Sequence, residues 1–100
     1  MNQTILEASK YIDPTGGLVA SAVLLAETAI AQLDKVDMVV IDLVGLRSVS
    51  SSYFNTLLTQ IAQKRGTTTL QHRVEMRFSA AAQKAIFDSS YRAVIQSLSL

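Results

Sequence analysis

The chain has 100 residues, of which 49% are hydrophobic, and this length predicts a single domain spanning residues 1–100 around one core. It has no cysteine and one histidine, which excludes disulfides, a thiolate metal site and a His-pair metal site within one chain, and agrees with a cytoplasmic location. Its formal net charge is +1, and no uncharged apolar stretch reaches the roughly 20 residues of a membrane span, so neither nucleic-acid binding nor membrane insertion is expected.

The first half of the chain is predicted to form a strand, a helix and a second strand. Gln3–Ser9 mixes β-branched and polar residues, which is typical of a strand. After the breaker segment Asp13–Gly17, the segment Leu18–Leu33 has one wholly apolar face at helical spacing, which predicts an amphipathic helix. Leu24 is the single large apolar residue on the polar face of this helix. Met38–Leu43 is a nearly continuous apolar run, the pattern of a central parallel strand covered on both faces.

A second amphipathic helix is predicted after a short loop. Val44–Ser50 is the loop, and Ser51–Lys64 is the helix, with a serine run that supplies its N-cap and Gly66 that suits its C-cap. The apolar stripe of this helix recurs at helical spacing and consists of Phe54, Leu57, Leu58, Ile61 and Ala62.

The last third of the chain predicts one strand and two short helices. Leu70–Phe78 alternates between apolar and polar residues, with His72 on the apolar side, so it is expected to form a half-exposed strand at or near an edge. Ala80–Phe87 is expected to form a short helix, Asp88–Ser90 to interrupt it, and a last helix to follow. Alternation of strands and helices predicts an α/β domain with a mainly parallel sheet.

The default site is the segment Asp42–Phe54, because sites in open α/β sheets form beyond the carboxyl ends of the strands. Enzyme signatures are lacking: Gly16 and Gly17 have neither the further glycines of a phosphate loop nor a strand just before them. His72 has no serine or carboxylate tied to it by spacing. We therefore expect a protein that is not an enzyme, with no catalytic residue, no cofactor and no metal.

The segment Asp42–Phe54 resembles the signature of STAS domains, the sulfate-transporter and anti-sigma-factor-antagonist family. In that family a strand ends in Asp-aliphatic-Ser-Gly-Val, and a short loop leads to a helix that starts with Asp-Ser-Ser/Thr-Gly. The matching residues are Asp42, Leu43, Gly45, Leu46, Val49, Ser51 and Ser52. The sequence departs from the pattern at four residues, Val44 for Ser, Ser50 for Asp, and Tyr53 and Phe54 for Gly. These departures resemble a divergent, uncharacterised STAS-like branch.

The resemblance implies a single small STAS-like domain, a mostly parallel or mixed sheet of about four strands with helices packed on it. It implies a bacterial, non-catalytic regulatory module that binds a GHKL-type, histidine-kinase-like ATP-binding protein or kinase. The serine matching Ser51 is phosphorylated in the antagonists, so the implied phosphorylation sites are Ser51 and Ser52, with Ser50 third. The expected partner-binding residues are Asp42, Gly45, Arg47, Tyr53, Asn55 and Thr56.

Five alternatives stay open. The serine run can be a helix cap alone, since serine is a preferred cap residue. Tyr53 can anchor a partner or pack on the loop. The domain can be a constitutive, unphosphorylated STAS subunit of a larger complex such as a transporter, or a small-molecule or nucleotide-binding domain that uses Asp42 and the helix start at Ser51. An edge strand and Leu24 permit a dimer as well as a monomer.

Overall fold

The computed structural model describes residues 2–46 and 49–98. These residues form a small α/β domain with four α-helices and a three-stranded sheet. The elements in chain order are β1 (Gln3–Glu7), a 3-10 turn (Ala8–Lys10), α1 (Gly17–Leu33), β2 (Met38–Asp42), α2 (Ser51–Arg65), α3 (Thr67–Arg73), β3 (Val74–Arg77) and α4 (Ala81–Leu98).

The sheet is parallel throughout, in the order β1-β2-β3. Its register aligns Ile5 with Val40 and Val40 with Glu75. The prediction of a central parallel strand at Met38–Leu43 is therefore confirmed. The expectation of about four strands is not confirmed, because the described residues contain three.

The described helices cover only one face of the sheet. Leu6, Val39 and Ile41 belong to the same buried apolar core as the helices. On the opposite face Ile5 is 46% exposed and Glu75 is exposed, while Val40 between them is only 1% exposed. At the centre of β2 both faces are nevertheless buried, as predicted for this strand, since Val40 lies opposite the buried Val39 and Ile41.

α1 and α2 supply most of the core and pack against each other. Leu24 is 41% exposed, as expected from its place on the polar face of α1. α2 ends at Gly66, whose φ of +91° is the left-handed backbone that glycine adopts without strain. The fully or nearly buried apolar residues of these two helices are Ala22, Leu25, Ala26, Ala29, Leu33, Tyr53, Phe54, Leu57, Leu58, Ile61 and Ala62.

The prediction of one strand over Leu70–Phe78 is wrong in its first half, where α3 occupies Thr67–Arg73 before β3 begins. Leu70 is buried and His72 is exposed, whereas a strand would place both on one side. α3 ends at Arg73, whose guanidinium donates hydrogen bonds to the carbonyls of Leu33 (2.7 Å), Val36 (2.6 Å) and Asp37 (3.0 Å). This contact fixes α3 against the connection between α1 and β2.

The prediction of two helices after residue 79 is also wrong, since α4 is continuous over Ala81–Leu98. The expected break at residues 88–90 contains neither proline nor glycine, so continuing the helix costs little there. Two contacts support the helix across this point: Lys84 Nζ pairs with Asp88 at 2.8 Å, and Ser90 is buried against α2.

Candidate functional site

The candidate site is the connection from the end of β2 to the start of α2. It begins with a tight turn in which Asp42 Oδ1 accepts a hydrogen bond from the Val44 amide at 2.9 Å and the Leu46 amide donates to the Leu43 carbonyl at 3.1 Å. Gly45 has a φ of +88°, a conformation that strains other residues. A Cβ at Gly45 would also lie 3.4 Å from the side chain of Ser9. Asp42 and Gly45 are therefore needed for the shape of this turn.

The strand ends place charged residues beside this turn. The register aligns Glu7, Asp42 and Arg77 across the carboxyl edge of the sheet. Glu7 pairs with Lys10 in the turn that follows β1. Asp42 is half-buried, and its side chain is used within the turn, which suits a structural role before any contact with a partner.

The serine run divides into one capping residue and two exposed residues. Ser50 has extended backbone geometry, and its Oγ accepts a hydrogen bond from the Tyr53 amide at 3.4 Å, so Ser50 is the N-cap of α2. Ser51 and Ser52 are exposed, and neither hydroxyl makes a hydrogen bond within the described part of the chain. The first turn of α2 has no acidic side chain, so the positive end of its dipole stays uncompensated there.

Tyr53 lies in the core, so its side chain offers no anchor to a partner. It is 0% exposed, and its ring packs edge-on against Phe54 with the centroids 5.6 Å apart. Its hydroxyl has no hydrogen-bond partner among the described residues, and burial raises the pKa of this phenol to about 12. Tyr53 precedes Leu57 by four residues, and this helical spacing is the sequence signal for its inward position.

Asn55 and Thr56 lie on the outer side of α2. Asn55 is exposed and Thr56 half-buried. Both line a shallow hollow with Thr59 and Gln60, and Asn55 also borders a groove that α2 forms with the end of α4. The predicted partner residue Arg47 lies outside the described residues, as does Ser48.

Gln83 is a residue of this region that the sequence analysis did not identify. It is buried on α4, and its Nε2 donates a hydrogen bond to the Leu46 carbonyl at 3.2 Å. Its Oε1 accepts from the Ser79 amide at 2.8 Å and the Ser79 hydroxyl at 3.0 Å. Ser90 Oγ adds a longer contact of 3.5 Å to the Ser51 carbonyl. The spacing of Ser79 and Gln83, close to that of a capping box, is the only sequence signal for this role.

The site is thus a polar, neutral helix start beside a fixed turn, and Gln83 and Ser90 of α4 form hydrogen bonds to its backbone.

Within residues 2–46 and 49–98, no group of three or more His, Asp or Glu side chains is arranged to hold a metal ion. None of the described helices has both the length and the apolar character required to cross a membrane. No protein-family model, curated protein or solved structure matches the chain.

Proposed function

We propose that this chain is a STAS-like, non-catalytic regulatory module that binds a GHKL-type ATP-binding protein or kinase through the start of α2. The observation that carries the proposal is that the three serines at residues 50–52 have different roles. Ser50 makes the cap hydrogen bond, so capping does not account for Ser51 and Ser52, which are exposed at the same helix start.

The departures from the family pattern are compatible with this use of the site. Serine and aspartate are both good N-caps, so Ser50 keeps the capping role of the family's Asp without its charge. Tyr53 and Phe54 stand where the family has Gly, yet both side chains are buried. The surface at the start of α2 therefore stays open to an approaching protein.

Phosphorylation at Ser51 or Ser52 would act as a switch on this surface. A phosphate adds about −1.5 to −2 charge at neutral pH and three acceptor oxygens. The free amides and the dipole of a helix N-terminus favour such an anion, so the fold would persist. A neutral contact surface would become strongly negative, and a partner adapted to the neutral form would be released.

The first experiment compares Ser51→Asp with the wild-type chain in binding to the GHKL-type protein. We expect the variant to keep its circular dichroism spectrum and to bind at least about tenfold more weakly in calorimetry, since the added charge is buried at the contact. Ser89→Asp is the matched control, because Ser89 is an exposed serine on α4 and its substitution should leave the affinity unchanged.

Phosphorylation itself is tested by incubating the wild-type chain and the GHKL-type protein together with ATP and locating the phosphorylated residue by mass spectrometry. We expect phosphate on Ser51 or Ser52, and none after both are replaced by alanine. Binding without phosphorylation would favour the constitutive subunit, which the neutral Ser50 in place of the family's Asp also supports. Equal binding by Ser51→Asp and wild type would contradict the placement of the contact at α2.

A further inference from the structure

The outer edge of β3 is open for pairing. β2 lies on one side of β3, and no described strand pairs with the other side. The Arg77 carbonyl accepts a hydrogen bond from the Leu43 amide at 3.0 Å, so the backbone groups of Arg77 and of Glu75 point towards β2. Because these groups alternate in direction along a strand, those of Val74 and Met76 point outward. An edge of this kind is a template for another strand.

The side chains of this strand form a pattern that is complementary to itself. Val74, Met76 and Phe78 are half-buried on the helix side of the sheet. Glu75 and Arg77 are exposed on the uncovered face, with Arg77 Nε 4.0 Å from Glu75 Oε2. From Val74 to Phe78, with Met76 at the centre, the residues are therefore apolar, acidic, apolar, basic and apolar.

We propose that two copies of this chain associate through β3, in antiparallel pairing about a two-fold axis at Met76. In this register Met76 faces Met76 of the second copy, and Val74 faces Phe78. Glu75 of each copy faces Arg77 of the other, so the interface gains two cross-strand ion pairs. The outward backbone groups of Met76 form the hydrogen-bonded pair. Glu75 and Arg77 then occupy the non-hydrogen-bonded positions, where side chains approach most closely.

Charge complementarity selects a second copy as the occupant and β3 as the edge. A two-fold interface uses the same surface twice, so that surface must be complementary to itself. The edge strand β1 fails this condition, because antiparallel pairing about Ile5 would place Gln3 against Glu7 and form no ion pair. Parallel pairing of two β3 strands in register would place Glu75 against Glu75. Of these three arrangements of the described strands, only the antiparallel β3 arrangement matches opposite charges.

The apolar side of the edge also favours association. Phe78 packs on Phe87 of α4 at 5.2 Å between centroids, and Phe87 packs on Tyr91 at 5.4 Å. Phe87 and Tyr91 are only half-buried, like the apolar residues of β3. A second copy of β3 would cover part of this surface. The interface uses the edge of β3 and not the exposed serines of α2, so it goes beyond the proposed partner contact.

Variants that exchange the charges of Glu75 and Arg77 test the proposal, with dimerisation measured by sedimentation equilibrium at low salt. We expect the wild-type chain to form a concentration-dependent dimer. Glu75→Arg and Arg77→Glu should each raise the dissociation constant at least about tenfold, because each variant puts like charges at both symmetric pairs. An equimolar mixture of the two variants, and the double variant E75R/R77E, should restore dimerisation. Glu27→Arg makes the same charge change on an exposed residue of α1 and should have no effect.

Met76→Pro tests the backbone contact separately. Proline removes an outward N–H that the folded monomer does not use, so circular dichroism should stay native while the dimer is lost. The proposal is overturned by a wild-type chain that stays monomeric at about 1 mM. It is equally overturned by charge-reversal variants that dimerise as the wild type does, or by a mixture that fails to restore the dimer.

Discussion

The two sides of α2 are packed in different ways. On one side, α1 buries five apolar residues against α2 and the sheet. On the other side, the buried residues of α4 are Gln83, Ser90 and Val94, while Phe87 and Tyr91 remain half-buried. The α1 side is therefore held by deep apolar burial, whereas the α4 side combines partly buried apolar contacts, such as that of Phe87 with Phe54, with the hydrogen bonds of Gln83 and Ser90. Elements with little apolar burial open at lower free energy than the core, so α4 is expected to be the less stable side.

The largest expected effect comes from deleting apolar volume on each side. Leu25→Ala, at a residue that is fully buried on α1, should lower the free energy of unfolding by about 2–5 kcal/mol. Val94→Ala on α4 should lower it by about 1–2 kcal/mol, since only two methyl-sized groups are removed. Urea denaturation of both variants measures the contrast. Equal losses would contradict the difference between the two sides.

A smaller loss of stability is expected when the hydrogen bonds between Gln83 of α4 and the turn at residues 42–46 are removed. Gln83→Leu should cost about 1–3 kcal/mol, because it leaves the Leu46 carbonyl and the Ser79 amide without their partner. Hydrogen exchange should become faster at the Ser79 amide. Gln96→Leu, at an exposed position of the same helix, is the matched control and should change neither measurement. Protection at Ser79 that survives Gln83→Leu would mean that α4 is held by other contacts.

Two of the three tyrosines, Tyr53 in the core and Tyr91 on α4, allow the two regions to be compared through the pH dependence of stability. Burial raises the pKa of Tyr53 to about 12 and raises that of the half-buried Tyr91 as well. A raised folded-state pKa gives stability that is complete below the unfolded value near 10 and is lost as the pH rises through the folded value. Between pH 10 and 11 the wild type should therefore lose about 1 kcal/mol through Tyr53.

Tyr53→Phe should remove most of this alkaline loss, and Tyr91→Phe a smaller part. At neutral pH Tyr53→Phe should leave stability unchanged or higher, because the buried hydroxyl has no partner within the described residues. Urea titrations at a series of pH values provide the measurement. An alkaline loss that is identical in Tyr53→Phe and wild type would assign the ionisation to another group.

The sequence correctly predicted those elements in which the spacing of apolar residues fits only one type of secondary structure. β1, α1, β2 and α2 lie within two residues of their predicted bounds, because each is a distinct apolar pattern between turn residues. The boundary between α3 and β3 was missed because Leu70, Val74, Met76 and Phe78 fit a single strand. α3 before β3 depends on Arg73, whose guanidinium binds carbonyls 36 to 40 residues away in the sequence. Such a contact leaves no local signal.

The candidate site was predicted to a similar extent. The turn at Asp42 and Gly45 and the cap within the serine run follow from local backbone chemistry, and both lie where the sequence placed them. The burial of Tyr53 and the role of Gln83 depend on how the helices pack against the turn. Local patterns determine the turn and the cap, whereas the spacings of Tyr53 with Leu57 and of Ser79 with Gln83 leave the depth of burial and the contact with Leu46 to the packing.

The hydrogen bonds of the Arg73 guanidinium affect the order in which the chain folds. The carbonyls of Leu33 and Val36 belong to the first half of the molecule, and the guanidinium that binds them comes from the last third. During synthesis from the N-terminus, α1 and β2 leave the ribosome well before this guanidinium does. Until residue 73 emerges, the end of α1 can satisfy these carbonyls only with water. The nascent chain therefore completes this contact only after residue 73 has emerged.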